Sequence, residues 1–246
     1  MKKILIALLA CSAIAIGATA CGTTDNATSN NAVASTTSSA VSQTANPDYQ
    51  KPQNITTADA AQQALIAGNK AYQDGNLNIA ATNADRTDLS ENGQKPYAVV
   101  ITCSDSRVPP ELIFNSGLGE LFTIRTAGNV VADFETGSVE YGVDHLGAPL
   151  IVVMGHTKCG AVAGAIEGHA EGHVEDIIHD IAPSVEQARQ NAQNDAQIAS
   201  LAEEYNVQNS IAKLRESEIL KKAEAEGKVK IVGALYDITT GAVRYL

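Results

Sequence analysis

Two short segments bring together residue types that can grip and use a metal ion. One is Cys103-Ser104-Asp105-Ser106-Arg107, the other His156-Thr157-Lys158-Cys159-Gly160. Thiolate sulfur and imidazole nitrogen are preferred donors of zinc, which is closed by four protein ligands when its role is structural. Cys103, His156 and Cys159 supply three, and neither segment holds a fourth Cys or His. Three protein donors with one position open is the arrangement of a catalytic zinc, where water is acidified and substrate approaches. Either pattern alone is weak; their joint occurrence carries the expectation. On residue type, a disulfide between Cys103 and Cys159, or a pair of ordinary buried thiols, stays open.

The neighbours of these donors extend the reading. Asp105, two residues beyond Cys103, can approach the open position, and Arg107 can hold its carboxylate through a bidentate pair. Gly160 offers a backbone N–H where a helix should begin, a favourable place for an anion. His169 and His173 have the i, i+4 spacing of a metal pair. However, Glu171 is misplaced for a His-Glu-x-x-His protease, and Gly168 and Gly172 weaken a helix there, so an exposed loop is expected. His145 and His179 read as surface or packing residues.

The elements that must position the site follow from hydrophobic pattern. Tyr97 to Thr102, Leu121 to Arg125, Leu150 to Met154 and Lys230 to Tyr236 are short apolar runs of strand length. Continuous runs of this kind suit strands buried on both faces of a parallel sheet. Ala242 to Tyr245 should pair antiparallel with the last of them across Thr240-Gly241. Helices are expected over Ala58 to Asp74, from a Thr56-Thr57 cap to Gly75, and over Gly137 to Leu146, Gly160 to Ile166, Val174 to Asn191 and Gln197 to Glu226. A short one should open at Pro109-Pro110. This alternation predicts an α/β domain, a mainly parallel central sheet flanked by helices with an antiparallel C-terminal edge strand. Ligands collect at the carboxyl ends of such strands. Cys103 follows the first run and His156 the third, so the two loops should open on one edge.

The chain of 246 residues carries a net charge of −11. Residues 1–20 read as an export signal: Lys2 and Lys3, an apolar run from Ile4 to Ile16, then small residues ending Ala18-Thr19-Ala20. Cys21 directly after them resembles the acylated Cys of a lipoprotein, although Ala18 stands where that motif usually has Leu; cleavage to a soluble periplasmic or secreted protein is the alternative. Residues 21–54 are rich in Ser, Thr, Asn and Ala and should form a flexible tether, leaving 55–246 as one folded domain. Loss of Lys2 and Lys3 takes the charge from −11 to −13. That argues against nucleic acid and against electrostatic docking on anionic lipid, so membrane attachment would rest on a lipid anchor alone.

Cys103-x-Asp105-x-Arg107 with His156-x-x-Cys159, inside TCSDSRVPPE and MGHTKCGAV, resembles the signature of β-class carbonic anhydrases. The similarity runs from about Gln94 through Gly164 and includes GLGELFTIRTAGNVV and GSVEYGVDHLG. The resemblance implies the β-carbonic anhydrase fold, one zinc per subunit on Cys103, His156 and Cys159, and a homodimer or tetramer. It implies reversible hydration of CO2 to bicarbonate and a proton by zinc-bound hydroxide, with Asp105 and Arg107 as catalytic residues. Asp105 would orient the hydroxide, or in a closed state become a fourth ligand. Gln94, Gly160, Phe122 and Tyr141 would contact substrate, the last two from across a dimer interface. Two thiolates cancel the charge of the metal, so the bound water should be less acidic than at an all-imidazole site, and activity should rise on the alkaline side of neutral. Some relatives carry an inhibitory bicarbonate site with a Trp at the position of Val100; Arg125 matches the Arg of that site, but the chain has no Trp, and this regulation is not expected. Hydrolysis of carbonyl sulfide or carbon disulfide would use the same metal, and a zinc-binding lipoprotein without catalysis the same ligands. Asp105 and Arg107 argue against the latter, since bare metal storage needs neither.

Overall fold

The computed structural model describes residues 55–79 and 82–246. The expected signal 1–20, the tether 21–54 and the expected lipidation site Cys21 lie outside the described residues. The elements are α1 (Ala58–Gln73), α2 (Asn83–Asn92), β1 (Ala98–Cys103), α3 (Pro110–Ile113), β2 (Leu121–Thr126), α4 (Asp133–Glu140), β3 (Leu150–His156), α5 (Gly160–Glu167), α6 (Val174–Asn191), α7 (Ile198–Leu214), α8 (Glu218–Ala225), β4 (Lys230–Tyr236) and β5 (Val243–Tyr245). A 3-10 turn at Ala127–Asn129 leads out of β2, and a π-helical turn at Tyr141–His145 extends α4.

The strands form one sheet in the order β2-β1-β3-β4-β5. All neighbours are parallel except β4 and β5. Every residue of β1 and β3 is buried, as their unbroken apolar sequences require, whereas β2 at the edge is mostly half-buried. Alternate residues face opposite layers. Val100, Val152 and Met154 pack under Leu65 of α1 and Ile113 of α3. On the other face Val99, Ile101 and Val153 meet Val139 of α4, Val207 and Leu214 of α7, and Leu220 of α8. A third cluster, built on Ile181 and Val185 of α6, Ala202 of α7 and Val162 of α5, closes around Cys103 and Cys159.

The expected α/β architecture and the antiparallel C-terminal strand are both present. Departures have local causes. The α2 helix buries no residue, so no apolar period announced it; its start is fixed by a reciprocal Thr82–Asp85 capping box. The helix expected from Gly137 starts at Asp133. The long helix expected over 197–226 is two, because Ser217 Oγ accepts from the Leu220 N–H and starts α8 afresh. Both β1 and β3 run slightly further than expected, so Cys103 and His156 are the last residues of their strands.

A candidate metal centre at the carboxyl edge of the sheet

Strand order reverses between β1 and β3: from β1 the chain crosses to β2 on one side, then to β3 on the other. A crevice opens at such a reversal, outside the carboxyl ends of the two strands. Thr102 stands beside Met154 there, so Cys103 and His156 end neighbouring strands almost level. Alternation assigns Cys103 to the face of Val99 and Ile101, and His156 to the face of Val152 and Met154. The two side chains therefore meet over the edge of the sheet rather than on either face. Cys159 follows as the N-cap of α5, after Lys158 takes a left-handed φ of 57° that reverses the chain. The donor atoms of Cys103, His156 and Cys159 all lie within 4.8 Å of one another, and all three residues are buried. Both cysteines are unbridged thiols.

The imidazole decides whether this donor set fits a metal ion. His156 Nδ1 lies 2.9 Å from the Thr157 carbonyl. A carbonyl only accepts, so Nδ1 carries the proton and Nε2 presents its lone pair to the sulfurs. Nε2 is buried without a hydrogen-bond partner, a state that costs about 1–3 kcal/mol for an ordinary polar atom. A ligating histidine usually has its other nitrogen fixed in this way. The residues fit a metal ion that prefers sulfur and imidazole.

The two thiols and the imidazole also perturb one another. Cys103 Sγ accepts from the backbone N–H groups of Asp105 at 3.4 Å and Gly128 at 3.3 Å. The Cys159 thiol beside it, followed by His156 and these two amides, outweighs burial and lowers the Cys103 pKa to about 4. Cys159 is pushed far up by the neighbouring Cys103 sulfur and by burial. The pair thus holds one proton between them, which an incoming metal ion would displace. Burial pulls the His156 pKa down, but the Cys103 sulfur, the Thr157 carbonyl and Asp105 more than offset it, and the net shift is upward.

Arg107 secures Asp105 three times. Its backbone N–H and Nε donate to Oδ1, each at 2.9 Å, and Nη2 donates to Oδ2 at 2.6 Å. That guanidinium, chiefly, holds the Asp105 carboxyl well below the usual carboxylate range. Oδ2 sits 3.9 Å from His156 Nε2, so the anchored carboxylate faces the donor cluster. Arg125 braces the turn after β1: Nε donates to the Cys103 carbonyl at 3.0 Å and Nη2 to the Asp105 carbonyl at 2.6 Å. Val100 is fully buried in the core.

Gly160 is the first residue of α5 and is exposed, and a side chain added there would meet nothing within 4 Å. Gln94 lies elsewhere. It is exposed in the loop before β1, with about 16 Å of strand between that end and Cys103. Phe122 and Tyr141 stack near the same far end, their ring centroids 5.9 Å apart, with Tyr141 46% exposed. Within one chain these three residues do not join the cluster. His169 and His173 lie in the exposed connection between α5 and α6, and His145 and His179 are exposed.

Comparison with known proteins agrees with this geometry. The carbonic anhydrase family model matches residues 98–243, a span that contains every residue of the cluster. The chain belongs to the carbonic anhydrase family, in its β class. It is 47% identical over 103 residues to carbonic anhydrase 2 of Mycobacterium tuberculosis, covering 42% of this chain and 50% of that protein. It is 34% identical over 164 residues to a carbonic anhydrase of Synechococcus elongatus, 61% of this chain and 60% of that one. The chain thus spans about half the length of the curated relatives it matches. Among solved structures, the Coccomyxa β-carbonic anhydrase in complex with acetazolamide superposes with a TM-score of 0.60 at 32% identity, covering 66% of this chain and 78% of that one. A tetrameric β-carbonic anhydrase of Sordaria macrospora gives 0.60 at 28% identity, over 76% and 94%.

Proposed function

We propose that this protein is a zinc enzyme interconverting CO2 and bicarbonate. One observation carries the reading: a buried Cys/His/Cys donor set faced by a carboxylate that a guanidinium anchors from behind. Cys103, His156 and Cys159 would hold zinc, which when bound supplies a Lewis acid able to make water a nucleophile near neutral pH. Asp105 is kept ionised by Arg107, so it only accepts hydrogen bonds. An acceptor fixed beside the donor cluster would receive a hydrogen bond from the attacking oxygen and so turn a lone pair of that oxygen toward the carbon of CO2. Arg107 fixes that direction, since both carboxylate oxygens are tied to one planar fork. The Gly160 amide at the start of α5 suits the developing bicarbonate anion. A second chain would complete the pocket with Phe122, Tyr141 and Gln94, in a homodimer or tetramer; the tetrameric relative from Sordaria macrospora supports this. Export by residues 1–20 and acylation at Cys21 would place the domain on the outer side of a membrane.

The test is stopped-flow CO2 hydration by zinc-replete protein beside its Asp105→Asn variant. Hydration that collapses in the variant while bound zinc is retained supports the reading. Wild-type protein that holds zinc without hydrating CO2 overturns it. Mass spectrometry of the membrane fraction tests acylation at Cys21, and light scattering tests the assembly.

A further inference from the structure

The donors of the metal centre sit on β1, β3 and α5, yet three polar side chains of a fourth element lie buried beneath them. In α7, Glu203, Asn206 and Ser210 are 6%, 2% and 3% exposed. Their spacing of three and four places them in one stripe along the helix. Each is directed at backbone of the two segments that carry or contact the thiols. Glu203 Oε1 accepts from the Cys159 N–H at 3.2 Å. Asn206 Nδ2 donates to the Gly128 carbonyl at 2.6 Å, and the N–H of that same Gly128 donates to Cys103 Sγ. Ser210 Oγ lies 3.1 Å from the carbonyl of Asn129, the next residue, and 2.9 Å from the Asn206 carbonyl of its own helix, so its one proton is shared between the two.

We infer that this stripe is the positioning scaffold of the metal centre, setting the orientation of both thiols at once through Glu203 and Asn206. The inference rests on the metal-centre reading above and deepens it. Burying a carboxylate, an amide and a hydroxyl on one helix is costly unless each is matched. Here the matches fall on backbone that otherwise has reason to move. Lys158, Gly128 and Asn129 all hold positive φ, at 57°, 67° and 47°. Glu203 grips the peptide directly after Lys158 and lies at the N-terminus of α5, where a negative charge suits the helix dipole. Asn206 and Ser210 grip Gly128 and Asn129. The stripe therefore pins the three left-handed residues nearest the donors. It touches neither the donor atoms nor a substrate, so these are positioning residues.

The test uses cobalt in place of zinc on the full chain, because thiolate-to-cobalt charge-transfer and d–d bands report donor geometry without requiring activity. Glu203→Ala and Asn206→Ala should shift those bands and weaken cobalt binding about 10- to 100-fold in chelator competition. Glu203→Gln keeps an acceptor oxygen and should retain the wild-type spectrum and affinity within about threefold. Asn69→Ala is the control. Asn69 is equally buried and donates to the carbonyls of Ile113 and Gly241 in another part of the fold; its loss should lower stability and leave the bands alone. If Glu203→Ala fails to fold, Asn206→Ala and the milder Ser210→Ala decide. Folded variants with unaltered bands and affinity overturn the inference, as does an equal spectral change in Asn69→Ala. A wild-type protein lacking thiolate-to-cobalt bands overturns the metal centre itself, which separates that failure from failure of the scaffold alone.

Discussion

Arg107 is more than half exposed, with 53% of its side chain accessible. An exposed ion pair adds little to stability, about 0–1 kcal/mol. Its consequence lies in direction, because the fork holds both Asp105 oxygens while Nη2 also reaches the Lys158 carbonyl at 3.4 Å. Lysine would keep the charge and lose the planar fork. Arg107→Lys should therefore lower kcat/KM for CO2 hydration about 10- to 100-fold, the scale of a misplaced orienting group. Its urea midpoint should stay near that of the wild type. A large loss of stability with unchanged turnover per folded molecule would show that the pair is only structural. At this scale much was legible in the sequence: Cys103, Asp105, Arg107, His156 and Cys159 announce themselves through chemistry and spacing. The part played by Arg125 was not legible, because its targets are two carbonyls that only the chain path reveals. Glu203, Asn206 and Ser210 were invisible as site residues for a related reason. A polar residue on an amphipathic helix reads as solvent-facing until the helix is seen to bury it.

Elements position the site by how closely they approach. Helix α1 passes the end of α3 at Gly68, where an added Cβ would sit 1.9 Å from the Phe114 carbonyl oxygen. Backbone cannot yield as a side-chain tip can, so Gly68→Ala should cost about 2–3 kcal/mol despite the better helix propensity of alanine. Urea unfolding checks this, and an unchanged midpoint would mean that α1 shifts freely. The β4–β5 connection gives a pH-dependent case. The Thr239 and Thr240 N–H groups donate to Asp237 Oδ1 at 2.7 and 3.1 Å and lower its pKa below the ordinary 3.8. A carboxyl depressed by folding stabilises the protein above its unfolded pKa, and that contribution is lost as pH falls through the folded value. Asp237→Ala should thus be less stable than wild type at pH 6, and the difference in urea midpoint should shrink as pH falls below about 4. A difference independent of pH would assign the effect to the turn shape alone. Strands were read well from sequence because burial on both faces leaves β1, β3 and β4 few polar letters. The α2 helix and the break before α8 depend instead on single capping residues, Thr82 and Ser217, whose force is local.

Across the whole molecule, the donors come from β1, β3 and the start of α5, with α7 bracing two of them. No one element holds a complete set, so the donor geometry exists only when sheet and helices are assembled. A ligand of the assembled state alone stabilises it by RT ln(1 + [L]/Kd), about 4 kcal/mol when zinc stands a thousandfold above Kd. For a domain of this size, each kcal/mol raises Tm by about 2–4 °C. Zinc-loaded protein should consequently melt about 10 °C above protein stripped by chelator, and re-addition of zinc should restore the difference in a concentration-dependent way. Cys103→Ser removes the sulfur at the end of β1 that receives two backbone N–H groups, and it should erase most of the zinc-dependent rise. Calorimetry separates the alternatives. A rise that survives Cys103→Ser would place the stabilising metal elsewhere, among exposed groups such as His173 and Asp176 in the α5–α6 connection and start of α6. No rise in the wild type would mean that the three donors are held in place by the fold without help from a metal, with His156 Nε2 sustained as a buried lone pair at the expense of the surrounding packing.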